Sequence, residues 1–339
     1  MAAPSTQWLH PRRPAAQFPP YAFGDPSLVD QAEARTSTLA RIYHKSQEQA
    51  WDGRAVLDEL IAKHGGIHFP DDKKAAFAQV AAVLLWGELA AWSISADLAL
   101  KLDDTPAKMA ASSQVFDEAR HFYVLRDYLW RAGVPIQKLG GFSRTLLVEL
   151  LETDNLLYKV VGMQLMVENT AVVLFKMIGE ARLEPVLSDL LYYFERDEAR
   201  HVGLGVLTLP SVLAGLSNRE ARALWWFQTR IQLTMLAGGM TLRESFATLG
   251  VDQAEMERHA FRLHDDVLRR MRAHHGADRG ADGAAVKGLF EVSKGGQHAL
   301  NGFLFPRGTP TAAHRLALRA VVGAAALGDR WLARRAPAT

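Results

Sequence analysis

Apolar residues recur along this chain at the three-to-four-residue spacing of helices that hide one side, and no stretch of useful length alternates as a strand does. The pattern predicts helices over about 27–50, 71–102, 106–133, 141–179, 183–208, 217–247, 252–275, 284–297 and 311–335. Breaking residues separate them: a loop around Trp51-Asp52-Gly53, then Gly65-Gly66 and Pro70, Gly133 and Pro135, Gly140-Gly141, Pro210, Gly276 to Gly283, and Asn301 to Pro310. Asp103-Asp104-Thr105-Pro106 reads as a helix start, with Thr105 as the cap and Pro106 at the first helical position. Residues 1–27, with Pro4, Pro11, Pro14, Pro19, Pro20 and Pro26, read as an irregular arm, free or wrapped on a neighbouring subunit. The fold class is therefore all-α: residues 28–339 form one enlarged helical domain, with a central bundle over 71–210 and extra helices over 217–335. Arg315, Arg319 and Arg334 on the last helix are expected to lie opposite an apolar side that packs on the bundle.

Two of the most apolar predicted helices carry a carboxylate in mid-run. Glu88 lies within Ala81-Ala-Val-Leu-Leu-Trp-Gly-Glu88-Leu-Ala-Ala-Trp92, and Glu168 within Val160-Val-Gly-Met-Gln-Leu-Met-Val-Glu168-Asn-Thr-Ala-Val-Val-Leu-Phe175. A charge buried in such surroundings is costly unless something binds it. Thirty residues after each lies the Glu of a pentapeptide Asp-Glu-Ala-Arg-His, at Asp117 to His121 and again at Asp197 to His201. Glu and His three apart share one helix face. Thirty residues allow about two dozen helical residues and a turn, so each lone Glu can sit level with its partner motif. Glu88, Glu118, His121, Glu168, Glu198 and His201 thus make a doubled set of four carboxylates and two imidazoles, the set with which a four-helix bundle holds two iron or manganese ions. Two divalent ions would offset about four negative charges, and imidazole favours iron over magnesium or calcium. Glu-Ala-Arg alone is ordinary exposed-helix composition and recurs at Glu33, Glu180 and Glu220; the leading Asp and the His at plus three set the two motifs apart.

Residues one turn from these six should share their face: Leu84 and Trp92 near Glu88, Gln114 and Phe122 near Glu118, Val124 and Leu125 near His121, Gln164, Leu165 and Val172 near Glu168, Phe194 and Gly205 near the second motif. Most are apolar bundle core, and such a shell also suits a dry pocket for an apolar substrate; the expected pocket is Leu84, Trp92, Gln114, Leu125, Gln164, Val172 and Phe194. Gln164 is a candidate for orienting a ligand. Asp117 and Asp197 are expected to accept the second ring N–H of the histidine on the opposite motif, with Arg120 and Arg200 offsetting their charge. Glu195, one turn before Glu198, is either a further metal-facing carboxylate or a surface residue.

With these motifs, residues 72–210 resemble the ferritin-like di-iron carboxylate superfamily, and Arg196-Asp-Glu-Ala-Arg-His-Val-Gly-Leu-Gly205 is similar to the matching helix of ribonucleotide reductase small subunits, their ligand-binding oxidase relatives, di-iron monooxygenases and arylamine N-oxygenases. The resemblance implies a ferritin-like four-helix bundle with added N- and C-terminal helices. It also implies that the six Glu and His residues bind two irons, or a Mn/Fe pair, and that the Asp before a Glu supports a His. Trp51 stands in a setting similar to the tryptophan that hydrogen-bonds this Asp in the reductase subunit. The subfamily marks depart. Leu125 stands where the reductase has its radical tyrosine, Ala90 and Met163 where the oxidases crosslink Val and Tyr, Phe194 where the N-oxygenases add a His, and Val172 where methane-type monooxygenases have Thr.

The remaining composition excludes more than it adds. No cysteine is present, which rules out disulfides, iron–sulfur ligation and a thiol nucleophile. A net charge of +2 without a basic, aromatic-interleaved motif gives no case for nucleic acid. The first residues lack a signal-like apolar core, and no run reads as long enough and charge-free enough for a bilayer, so a soluble, cytoplasmic protein is expected. The expected activity is a non-haem di-iron oxygenase or oxidase. With O2 it would hydroxylate, desaturate or N-oxygenate a small, largely apolar organic substrate, drawing on an external donor such as a ferredoxin or a reductase, in a homodimer. A ferroxidase or iron-handling protein is the alternative, and a scaffold retaining its metals for stability a third. The hundred-odd residues after the bundle favour a covered substrate pocket over iron storage.

Overall fold

The computed structural model describes residues 38–102, 104–213, 216–260, 262, 295–296, 299–300, 302–306, 309 and 311–335, without the side chains of 210–213, 218 and 335. The expected arm over 1–27, the Gly276–Gly283 break, and most of the helices expected over 252–275 and 284–297 lie outside these residues. Among the described residues every regular element is helical. In chain order they are α1 (Thr38–Glu48), α2 (Gly53–His64), α3 (Asp71–Lys101), α4 (Thr105–Arg131), α5 (Gly141–Glu152), α6 (Leu156–Val160) continued by a π-helical segment (Val161–Val167) into α7 (Glu168–Glu180), α8 (Pro185–Leu213), α9 (Asn218–Thr241), α10 (Arg243–Leu249) and α11 (Ala312–Arg335).

Several boundaries differ from the sequence pattern for local chemical reasons. The Trp51-Asp52-Gly53 loop is also the start of α2: the Asp52 carboxylate accepts from Ala55 N, and Gly65 ends the helix at a left-handed φ of 71°. On α4 the cap is Asp104 rather than Thr105, with its carboxylate accepting from Ala107 N at 3.0 Å. The single helix expected over 141–179 is interrupted after Glu152. There Asn155 accepts from Leu157 N and Tyr158 N and opens a new helix. Helix α8 runs past its expected end, through Pro210 to Leu213, where the lost donor falls in its last turn. The helix expected over 217–247 bends at Leu242 into α9 and α10.

The bundle consists of α3, α4, the α6–π–α7 rod and α8, with α3 along α4 and α7 along α8. Its interior divides into two apolar layers. Leu84, Leu85, Val124, Leu125, Val173 and Phe194 belong to one; Ala91, Ile94, Ala111, Leu165, Met166 and Val202 belong to the other. Along each of the four rods the acidic residue, Glu88, Glu118, Glu168 or Glu198, falls between residues of the two layers. Both rods with a lone Glu, Asp71–Lys101 and Leu156–Glu180, are long and apolar enough by length and composition alone to cross a membrane. Their most apolar windows are, however, 61% and 67% buried within the fold. Their apolar stretches belong to bundle rods that lie for the most part inside the fold. The added helices dress this bundle: α1 lies against α4 and α8, α10 against α3, and α11 against α5 and α9 over a small core of Leu236, Met240, Leu304, Phe305 and Leu318.

Candidate metal centre

Mid-height in the bundle, the six side chains singled out by spacing converge. Their ligand atoms form two overlapping groups, Glu88–Glu118–His121–Glu198 and Glu118–Glu168–Glu198–His201, each with all atoms within 4.8 Å of one another and every residue buried. Glu118 and Glu198 belong to both groups. His121 Nδ1 lies 3.2 Å from Glu88 Oε2 and 3.1 Å from Glu198 Oε1, and His201 Nδ1 lies 3.0 Å from Glu118 Oε1 and 2.7 Å from Glu198 Oε2. Glu118 Oε2 and Glu198 Oε1 are buried without a hydrogen-bond partner among the described residues. Buried acceptors left without donors, beside two imidazole nitrogens, fit a pair of cations between them.

The far nitrogen of each ring is held by the other motif. His121 Nε2 lies 3.2 Å from Asp197 Oδ2 and His201 Nε2 lies 3.3 Å from Asp117 Oδ2. Arg120 donates to both aspartates, and so does Arg200, at 2.7 Å to Asp197 and 3.0 Å to Asp117. The result is a buried, charge-neutral square beneath the histidines. Trp51 Nε1 donates to Asp197 at 2.7 Å, and Ser46 Oγ from α1 donates to Asp117 at 3.2 Å. Arg120 also lies over the Trp51 ring, and Phe194 stacks on His121 with ring centroids 4.3 Å apart. Ser46 escaped sequence reasoning, as did Gln49, whose side chain accepts from Arg200. A serine on a polar helix, or a glutamine just past its end, carries no local sign of such a role.

A second polar chain runs above the cluster. Gln114 donates to Glu168 at 2.8 Å and to Glu118 at 3.1 Å, while Gln164 donates to Gln114 at 2.8 Å. Gln164 therefore acts on the carboxylates through Gln114. Gly205 permits the approach: a Cβ there would lie 2.8 Å from Gln164 Cβ, so α8 meets the π segment only because no side chain intervenes.

Without metal the cluster holds its own protons. Burial raises Glu88 and Glu168 well above the usual carboxylate range, reinforced by the charges of Glu118 and Glu198. Burial opposes ionisation at Glu118 and Glu198 too. There the two histidines prevail and hold both carboxyls below the ordinary value. Burial likewise works against charging His121 and His201, yet the surrounding carboxylates hold both well above an ordinary histidine. With Glu88 and Glu168 protonated and both imidazoles charged, the cluster would carry about four protons, the same positive charge as two divalent cations.

A cavity of about 160 Å³ adjoins the cluster on one side. Glu88, Glu118 and Glu168 line it, while Glu198 and both histidines do not; its other walls are mainly apolar and come from α3, α5, the π segment, α7, α9, α10 and residues 256–260. Of the expected pocket residues, Leu84 lines it. Leu125 is bundle core, Phe194 covers His121, Val172 packs against the second apolar layer, Gln114 and Gln164 form the polar chain, and Trp92, 36% exposed, meets Phe122 outside. The shared-face rule fails here because that face points at the bundle axis, whereas the cavity lies beside it under α9. Glu195 belongs to neither donor group; Lys176 and Glu180 are its charged neighbours.

The fold has counterparts among solved structures. A Synechococcus protein described as having aldehyde deformylating oxidase activity matches with a TM-score of 0.53 at 15% identity, over 66% of this chain and 98% of its own. A variant of an R2-like ligand-binding oxidase with an aerobically reconstituted Fe/Fe cofactor matches with a TM-score of 0.59 at 14% identity. Another with an anaerobically reconstituted Mn/Fe cofactor matches with a TM-score of 0.60 at 15% identity, and both cover 74% of this chain and 98% of their own. At such identities the likeness establishes the fold, a ferritin-like helical bundle. No family model matches the sequence, and no curated protein does.

Proposed function

We propose that this protein is a non-haem di-iron oxidase that uses O2 to oxidise a small, largely apolar organic molecule by hydroxylation, desaturation or N-oxygenation. The observation that carries the reading is the overlap of the two donor groups. The six residues would hold the pair between them: Glu88 and His121 belong to one donor group, Glu168 and His201 to the other, and Glu118 and Glu198 to both. An Fe/Fe or a Mn/Fe pair fits this donor set. When bound, the pair supplies redox chemistry with O2 that side chains lack.

The chain's own residues arrange the rest. Asp197 and Asp117 accept hydrogen bonds from the Nε2–H groups of the two histidines, which leaves each Nδ1 lone pair free for a metal. Gln114 fixes the orientation of Glu118 and Glu168. Only the carboxylate side of the cluster meets the cavity, so substrate approaches there, opposite the histidines. The apolar walls exclude water from that approach. They also favour an organic substrate over an iron-storage route, which needs polar lining. The external electron donor (a ferredoxin or a reductase), the homodimer and the cytoplasmic setting belong to the same proposal.

Anaerobic loading with Fe(II), an iron count, and rapid mixing with O2 test it. The expected outcome is about two irons per chain, oxidised with a transient absorption band and retained by the protein. Glu118→Ala and Glu198→Ala should each lose both ions, because each residue belongs to both donor groups. Wild-type protein that binds no iron overturns the metal reading. Oxidation followed by release of ferric mineral transfers the chain to iron handling.

A further inference from the structure

The cavity is built from two sources of charge. The bundle contributes Glu88, Glu118 and Glu168, and the added C-terminal part contributes Glu257, beside Met256 and Ala260. Among the described residues, no lysine, arginine or histidine lines it. Glu257 has neither an ion pair nor a hydrogen bond among the described residues, and burial pushes its carboxyl up to about 7. Its neighbour across the space is Gly239 on α9, where a Cβ would stand 3.5 Å from Glu257 Oε1. A larger residue there would fill the room in front of the carboxylate. Two divalent ions would balance the four cluster carboxylates, which leaves Glu257 as the cavity charge without a counter-ion among the described residues. A carboxylate in apolar surroundings is stabilised by a cation that comes to it, and an anionic ligand would face repulsion with no compensating base.

We propose that Glu257 anchors the cationic amino group of the substrate, so that the oxidase takes small amines with an apolar carbon skeleton. This deepens the oxidase reading and rests on it. The volume of about 160 Å³ suits a skeleton of about six to eight carbon atoms, since a cavity near this size accommodates benzene.

The test is calorimetric binding of hexylamine, hexanol and hexanoate to Fe(II)-loaded, anaerobic protein, with the iron counted in each sample. Hexylamine is expected to bind at least about tenfold tighter than hexanol, and hexanoate most weakly. Glu257→Gln should bring hexylamine to the level of hexanol, and Glu257→Asp should retain part of the preference; circular dichroism checks that both variants fold. Equal binding of amine and alcohol, an unaltered preference in Glu257→Gln, tightest binding of hexanoate, or no binding of any of the three overturns the anchor. If a Glu257-dependent amine preference persists in protein that holds no iron, the anchor stands and the di-iron reading falls.

Discussion

Asp117 and Asp197 show how much of this site depends on charges outside the two donor groups. Each is wholly buried, and burial alone would raise its carboxyl. The hydrogen bonds from the opposite histidine and the arginine charges nevertheless hold both below the ordinary aspartate range. Each aspartate fixes one histidine tautomer and offsets two arginines at once, so replacing one removes a member of a closed buried network. Asp197→Asn is therefore expected to weaken Fe(II) binding about 10- to 100-fold, and Asp117→Asn by a similar factor, because the two occupy equivalent places. A chelator-competition titration measures both. An effect confined to one of them would show that the equivalence of the two halves stops at geometry. The pairing of each Asp with the opposite His was legible from the repeated pentapeptide. Ser46 was not, because a hydroxyl on a polar helix has no distinctive neighbourhood until the fold supplies one.

At the scale of elements, two glycines with similar sequence settings have opposite reasons to exist. On α3, Gly87 faces space: a Cβ there would meet nothing within 4 Å. On α8, Gly205 is the contact through which that helix approaches Gln164 and Leu165. Gly87→Ala should raise stability by about 0.5–1 kcal/mol through helix propensity. Gly205→Ala should lower it by about 1–3 kcal/mol, as overpacking does, and weaken iron binding by shifting the polar chain. Thermal denaturation of the pair checks this, and a change of the same sign in both would refute the packing argument. The helices themselves were largely readable from period and punctuation. The break at Thr153–Asn155 was missed because the apolar pattern continues on both sides of it, and local capping by Asn155 outweighs that continuity. The π segment was equally silent, since an extra residue in one turn leaves the composition unchanged.

For the whole molecule, protons and metal compete for one buried site. Raised Glu88, Glu168, His121 and His201 stabilise the metal-free fold at low pH, fully so below their unfolded values. That contribution is lost as pH rises through their higher folded-state values. Depressed Glu118, Glu198, Asp117 and Asp197 act in the opposite sense, contributing above their unfolded values and failing as pH falls through the folded ones. Metal-free protein is therefore expected to lose thermal stability on both the acid and the alkaline side of mildly acidic pH. Iron-loaded protein should keep its stability on the alkaline side. Loading should release about four protons per chain, which calorimetry in buffers of different ionisation enthalpy counts directly. Release near zero would mean that the carboxyls and imidazoles are already ionised and neutral respectively, contrary to the electrostatics of the cluster.

The chain order of Glu, Glu-x-x-His, Glu, Glu-x-x-His by itself determined which six residues could meet, because three-residue spacing and helix length are local properties that hold wherever a helix forms. It likewise determined that the protein is helical and that its central rods are buried. Only the tertiary structure decided that Glu118 and Glu198 are shared, that the polar chain runs through Gln114, and that the cavity opens beside the bundle under α9 with Glu257 in its wall. Those features depend on how close and at what offset distant helices pack, which follows from the summed fit of many side chains and is not encoded at any one position.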